Sequence, residues 1–337
     1  MSIVVAFSGG LDTSFCVPYL REEHNVPVYT VTVNTGGISE DERLQIEKRA
    51  KELGSAGHYM VDARDELFER SIQYLIKGNV LRGDVYPLCV GPDRVVQAQA
   101  LVNMARKLNS SIVAHGSTGA GNDQIRFDVA LSVLGDDLTI LTPIRDLGLS
   151  REYTTNWLKE RGYAVSASTT TYSINTGLWG TTVGGKETLA TEKNLPDSAW
   201  PSPSPKDSPD QEETVTVGFA KGIPTSLNGT EMSPVQLIEE LNRLGEANGI
   251  GRAIHVGDTI LGIKGRVGFQ AAAAAILIPA HRELEKTVLS RWQQYHKAQL
   301  GDFYGMMMHE AQYFDPALRD IEAFLNSSQE TVTGTVA

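Results

Sequence analysis

Seven consecutive residues near the start of the chain, Ser8-Gly9-Gly10-Leu11-Asp12-Thr13-Ser14, combine what an anion site needs. Glycines let the backbone turn sharply and come close to a bound group. A helix starting there turns its first N–H groups and the positive end of its dipole toward the same point, which makes a phosphate cradle. The hydroxyls of Ser8, Thr13 and Ser14 add donors, and Asp12 is a hard oxygen ligand suited to magnesium, directly or through water. The string fits neither the Walker pattern nor the dinucleotide G-x-G-x-x-G. A second glycine-rich string runs from His115 to Phe127 and reads His-Gly-Ser-Thr-Gly-Ala-Gly-Asn-Asp-Gln-Ile-Arg-Phe. In it Thr118, Asn122 and Asp123 can grip a zwitterionic amino acid, and Arg126 can pair with a carboxylate.

The elements that must position these strings follow from hydrophobic pattern. Ile3–Phe7, Val28–Val33, His58–Val61, Ser111–Ala114 and Leu138–Thr142 read as buried strands. Helices are expected over Glu40–Leu53, with Ser39 and Glu42 as a capping box, over Asp93–Leu108, and over Glu152–Arg161. Such alternation predicts an α/β fold, a doubly wound parallel sheet with both strings opening at its carboxyl edge. The five prolines from Pro196 to Pro209 predict an exposed loop. Beyond it, strands are expected at Thr214–Phe219 and Thr259–Ile263. A helix opens at Ser233-Pro234 and runs to about Asn248, and others lie near His281–Leu300 and Pro316–Asn326. The expected organisation is a nucleotide-binding α/β domain over 1–165, an α+β second domain over 166–326, and a polar tail over 327–337.

Bulk properties narrow the partners. Of 337 residues, 30 are basic and 41 acidic, a net charge of −11, which argues against nucleic acid as a partner. No run approaches the roughly 18–20 apolar residues that span a bilayer, and Ile3–Phe7 leads at once into a glycine turn, unlike a signal peptide. A cytoplasmic protein is expected. The two cysteines, Cys16 and Cys89, are too few for a four-ligand zinc site and read as reduced core residues.

The first string resembles the pyrophosphate loop of the N-type ATP pyrophosphatases, and the second resembles HG-x-TG-x-GNDQ-x-RF of the argininosuccinate synthase family. Further blocks are similar in order: Tyr86-Pro87-Leu88 with Arg94, Tyr172-Ser173-Ile174-Asn175, Gly222-Ile223-Pro224 and Ala280-His281-Arg282. The resemblance covers 2–327. It implies ATP held by Ala6, Ser8, Gly9, Gly10, Asp12, Thr13, Ser14, Val33 and Gly116, with magnesium at Asp12. It implies aspartate at Thr118, Asn122 and Asp123, and citrulline at Tyr86, Asn122, Arg126, Ser173, Thr181 and Asp258. Asp12, Ser14 and Asp123 would stand nearest the chemistry. The implied reaction adenylates citrulline, releases pyrophosphate, and lets the aspartate amine expel AMP.

Departures cluster on the acceptor side. Cys89-Val90-Gly91-Pro92 replaces a family Thr-Ser, a family Glu aligns near Gly257 or Asp258, and its partner Tyr is Phe269. A relative that couples aspartate to a different ureido or amide acceptor is therefore the alternative expectation. A tRNA-modifying pyrophosphatase would want catalytic cysteines or zinc ligands and a basic face, and a binding-only homologue would not need Asp12 and the Asn122–Arg126 block. The resemblance also implies a homo-oligomer, although the arm by which family members embrace their neighbours lies beyond Ala337.

Overall fold

The structure, a computed structural model, describes residues 1–119, 121–165, 172–202 and 204–337. Ala120 of the second string and the expected domain boundary at 165/166 fall on or against residues outside that set.

The chain begins with β1 (Ile3–Ala6), α1 (Leu11–His24), β2 (Val28–Asn34), α2 (Glu40–Glu52) and β3 (Gly57–Asp62). There follow α3 (Arg64–Leu67), a π turn at Phe68–Ile72 and α4 (Gln73–Lys77), then α5 (Pro92–Lys107), β4 (Ile112–Ala114), α6 (Asn122–Leu134), β5 (Thr139–Leu141), α7 (Pro143–Asp146) and α8 (Arg151–Glu160). The rest comprises β6 (Tyr172–Gly177), β7 (Gly180–Gly185), β8 (Val217–Ala220), β9 (Ile223–Leu227), β10 (Thr230–Glu231), α9 (Pro234–Ala247), β11 (Arg252–Asp258), β12 (Lys264–Gln270), α10 (Ala272–Val288), α11 (Arg291–His309), α12 (Pro316–Gln329) and β13 (Gly334–Val336). Two compact units result. One holds Met1–Ala63 and Asp93–Thr169, the other Arg64–Pro92 and Thr170–Ala337. The excursion Arg64–Pro92 thus leaves the first unit and packs in the second.

In the first unit five parallel strands lie in the order β3-β2-β1-β4-β5. Ile3, Val4 and Val5 are fully buried, as expected of a central strand covered on both faces. Successive side chains point to opposite faces, so Ile3, Val5 and Phe7 share one face and pack with Phe15, Val17, Leu20, Leu53, Trp157 and Leu158. Phe15 meets Trp157 edge-on at 5.0 Å between ring centroids. Burying a side chain such as Phe15 contributes about 1.5–3 kcal/mol. Because β2 lies on one side of β1 and β4 on the other, the strand order reverses between β1 and β4. Open α/β sheets bind ligands at the carboxyl ends of the strands that flank such a reversal.

The second unit carries two four-stranded antiparallel sheets, β10-β9-β8-β13 and β11-β12-β7-β6. Three sequence expectations change here. Thr259–Ile263, expected as a strand, is the turn between β11 and β12. Thr259 N–H donates to the Ile263 carbonyl at 2.8 Å, and Gly262 takes φ +77°, which favours glycine over a strand residue. The helix expected near His281–Leu300 is two helices, because Ser290 caps α11 with Gln293 and ends α10 just before it. The polar tail is ordered structure. α12 runs on to Gln329, Val332 is fully buried, and Gly334, Thr335 and Val336 pair with Phe219, Gly218 and Val217. Within β13, Thr335 and Val336 are β-branched, the residue type that suits a strand.

Candidate active site

The first string leaves β1 and enters α1. Gly9 takes φ +77°, and a Cβ there would stand 3.2 Å from Ile46 Cγ1, so the position suits glycine on both counts. Gly10 is the N-cap of α1 and no side chain caps that helix, which leaves its positive end facing the turn. Hydroxyls hold the turn closed. Ser8 N–H donates to Thr13 Oγ1 at 3.3 Å, Ser8 Oγ lies 3.2 Å from Thr13 Oγ1, and Thr13 Oγ1 donates to the Gly10 carbonyl at 3.3 Å. Ser14, by contrast, is buried. Its hydroxyl donates to the Gly9 carbonyl and accepts from Arg49 Nε, each at 3.3 Å. In this arrangement Ser14 braces the turn, while Ser8 stands exposed at it.

Asp12 lies in the first turn of α1. Burial raises its carboxyl above the ordinary value, with the Arg151 charge opposing. A cation beside it would favour the ionised form. Among the described residues no group of three or more His, Cys, Asp or Glu gathers as a metal cage. One carboxylate beside a phosphate cradle nevertheless fits magnesium, which is usually held by one or two carboxylates plus substrate phosphates and water. Asp12 is the residue that would hold it.

The second string leaves β4, the neighbour of β1, and enters α6. Gly116 is where the two strings meet, since a Cβ on it would lie 3.2 Å from the Asp12 carbonyl carbon, the Thr13 nitrogen and Thr13 Cγ2. Thr118 is exposed, and Asn122 and Asp123 occupy the first turn of α6, which starts from Gly121. Val33, next to last in β2, lies at the same carboxyl edge, half-buried and in register with Val61 of β3. Two helix starts and the carboxyl ends of adjacent strands thus converge in one unit.

Asp123 is clamped between two guanidinium groups. Arg94 Nη2 reaches Oδ2 at 2.9 Å and Arg126 Nη1 reaches Oδ1 at 3.2 Å, while Arg94 also pairs with Asp93 at 2.5 Å. Burial alone would raise this carboxyl, but Arg94 and Arg126 hold it below the ordinary carboxylate value. Held ionised, Asp123 is an acceptor for an ammonium group and a poor base.

Sequence reasoning missed the support of this loop. His115 is buried, stacks on Phe127 at 5.3 Å, and lies 3.1 Å from Asp128 through Nε2. Arg145 pairs with the other oxygen of Asp128. The spacing of Gln124 and Asp128, four residues apart on α6, was a legible sign that they share a face. Nothing local marked Arg145, which arrives from the segment after β5.

The residues implied for citrulline in the second unit are spread across a sheet. Tyr86 is buried, stacks on His255 at 5.4 Å and meets Phe269 at 5.1 Å, and its hydroxyl accepts from Val90 N–H at 3.3 Å. Ser173 lies exposed on β6, opposite Gly184. Thr181 on β7 is level with Gln270 and Arg252, whereas Asp258 is level with Lys264 at the far end of β11. Six residues separate those levels, roughly 20 Å at the usual rise per strand residue. The register therefore does not bring Thr181 and Asp258 together. The Asp258 carboxylate pairs with Lys264 at 2.7 Å, and that bond, with the Lys264 charge, lowers its proton affinity.

The sequence profile described as "Arginosuccinate synthase N-terminal HUP domain" matches residues 2–164, and the corresponding C-terminal domain matches 172–337. The chain belongs to the argininosuccinate synthase family. It is 41% identical to the argininosuccinate synthase of Xanthomonas campestris, over 99% of this chain and 84% of that relative. It is 36% identical to that of Methanocaldococcus jannaschii, again over 99% of this chain and 84% of the relative. A solved predicted subunit of a tRNA methyltransferase from M. jannaschii matches half of the chain at 18% identity and a TM-score of 0.31, too slight a likeness to bear on function. The family match covers both units, and the family is one of ligases. No helix among the described residues is long and apolar enough to cross a membrane.

Proposed function

We propose that this argininosuccinate synthase family member ligates citrulline and aspartate to argininosuccinate at the expense of ATP. The observation that carries the reading is the convergence, at the sheet reversal of the first unit, of an uncapped α1 start and the Gly116–Asp123 loop. The α1 turn, with Ser8, Gly9, Gly10 and Thr13, takes the ATP phosphates, Val33 lies against the base, and Ser14 braces the turn. Thr118, Asn122 and Asp123 take aspartate, and the acceptor falls to Asn122 and Arg126, with Tyr86, Ser173 and Thr181 as the further contacts that the family resemblance implies. Magnesium at Asp12 would neutralise phosphate charge when bound.

The ureido oxygen of citrulline attacks the α-phosphorus, breaking its bond to the β-phosphate oxygen and releasing pyrophosphate. The aspartate amine then attacks the activated ureido carbon, loses its proton, and displaces AMP. The protein's contribution is placement and phosphate stabilisation, and effective molarity supplies about 7–11 kcal/mol in well-oriented cases. This reading carries with it a cytoplasmic location and a homo-oligomer. It also carries a nucleotide-binding domain over 1–165, from which the excursion Arg64–Pro92 departs to pack in the second unit, and a synthetase domain after it.

A second reading, an acceptor other than citrulline, is favoured by one observation. The acceptor-side carboxylate, Asp258, is occupied by Lys264 and lies far along the sheet from Thr181. Pyrophosphate release from ATP, measured with magnesium, aspartate and citrulline and with each omitted in turn, separates the readings. Release that needs citrulline, with AMP and argininosuccinate formed, supports the first. ATP binding without citrulline-dependent release overturns it in favour of the second.

A further inference from the structure

Ser117 N–H donates to His115 Nδ1 at 3.3 Å, so the ring proton sits on Nε2, which donates to Asp128 Oδ1 at 3.1 Å. The other carboxylate oxygen of Asp128 accepts from Arg145 Nη1. The same guanidinium nitrogen lies 3.4 Å from Gln124 Oε1, and Gln124 Nε2 donates to the Gly119 carbonyl. The path therefore begins at the Ser117 amide, passes through His115, Asp128, Arg145 and Gln124, and ends on the Gly119 carbonyl. Those two end points belong to Ser117 and Gly119, the residues on either side of Thr118. Thr118 is exposed, yet Ser117 and Gly119 on either side of it are tied, by the Ser117 N–H and the Gly119 carbonyl, to His115 just after β4 and to Gln124 of α6, which Asp128 of α6 and Arg145 of α7 join.

We infer that Asp128 and Arg145 are positioning residues that set the backbone on both sides of Thr118, and so the affinity for the amino-acid co-substrate. The inference rests on the reading of Thr118 as an aspartate contact. Neither side chain need touch substrate. Asp128 fixes the His115 tautomer and ring orientation from one side, and Arg145 carries the constraint across to Gln124 on the other. The ATP turn at 8–14 is held by its own hydroxyls and by Arg49, which lie outside this path. The two halves of the site should therefore respond differently when the path is cut.

The test compares the full-length protein with Asp128→Ala, Arg145→Ala and Asp128→Glu, the last restoring a carboxylate. Two measurements are made: steady-state kinetics with each substrate varied, and amide hydrogen exchange of the ligand-free protein over 115–121 and over 8–14. The expected result is faster exchange over 115–121 but not over 8–14 in both alanine variants. The KM for aspartate should rise by about 10-fold to 100-fold, the cost typical of a small misplacement, while the KM for ATP changes far less. Asp128→Glu should recover part of the affinity. Unchanged exchange over 115–121, or an equal rise in KM for every substrate, would overturn the inference. If the wild-type protein shows no aspartate-dependent turnover, the proposed function falls, and the exchange data still decide whether the path holds the loop.

Discussion

In the first unit the residues assigned to ATP and aspartate fall almost entirely within two strings, 8–14 and 115–126, which leave adjacent parallel strands at one edge. In the second unit the acceptor-side residues Tyr86, Ser173, Thr181 and Asp258 come from separate segments, three of them on different strands of one antiparallel sheet. A parallel sheet turns sequence proximity into site proximity, because every strand-to-helix turn opens at the same end. An antiparallel sheet does the opposite. Its register decides which residues are level, and the register here separates Thr181 from Asp258. The contrast explains why motif reading serves the ATP side better than the acceptor side.

The contrast can be broken most strongly at Asp12. Asp12→Ala should lower ATP-dependent pyrophosphate release by about 100-fold to 1,000-fold, the scale for losing one group that stabilises charge in a transition state. Full retained activity would remove the first string from the chemistry. Gly116→Val tests whether the two strings form one site. Its side chain would press on the backbone at Asp12 and Thr13, and a loss of about 100-fold is expected, seen in kcat/KM for both ATP and aspartate. A loss confined to aspartate would show that the contact between the strings is incidental to the ATP turn.

Asp123 gives a smaller, pH-dependent effect. Its folded value is depressed below the ordinary 3.8 by Arg94 and Arg126, in spite of burial. The stability it adds is therefore present above that ordinary value and is lost as pH falls through the lower folded value. Thermal midpoints of wild type and Asp123→Asn should differ near pH 6, and the gap should close as pH drops below about 4. A gap that widens with acid would contradict the clamp. The smallest effect is expected at Asp258. If it stands outside the acceptor pocket, as its exposed pairing with Lys264 suggests, Asp258→Asn should leave the acceptor KM within about 2-fold. A large rise would return it to the site and weaken the contrast.

Much of the first unit could be read directly. The strands were placed within a residue or so, and the Ser39–Glu42 capping box forms as its spacing implies. The errors fall where local pattern and chain connection disagree. Leu261 and Ile263 made Thr259–Ile263 read as a strand, but both are exposed in a turn that Gly262 closes. Ser290 stops one helix and starts the next, a role that apolar spacing across His281–Leu300 conceals. The inward turn of the Ser14 hydroxyl and the arrival of Arg145 at Asp128 depend on packing between segments far apart in sequence, so no short string could announce them.

The excursion Arg64–Pro92 has a consequence for anyone dividing this protein. A fragment cut at residue 165 would keep that excursion and lose what it packs on, since α4 rests against α10, α11 and α12. Ile72, Leu75, Ile76 and Val80, all shielded in the whole chain, would then face water as a sticky patch. A soluble nucleotide-binding piece needs those residues excised as well, with a linker joining Ala63 to Asp93.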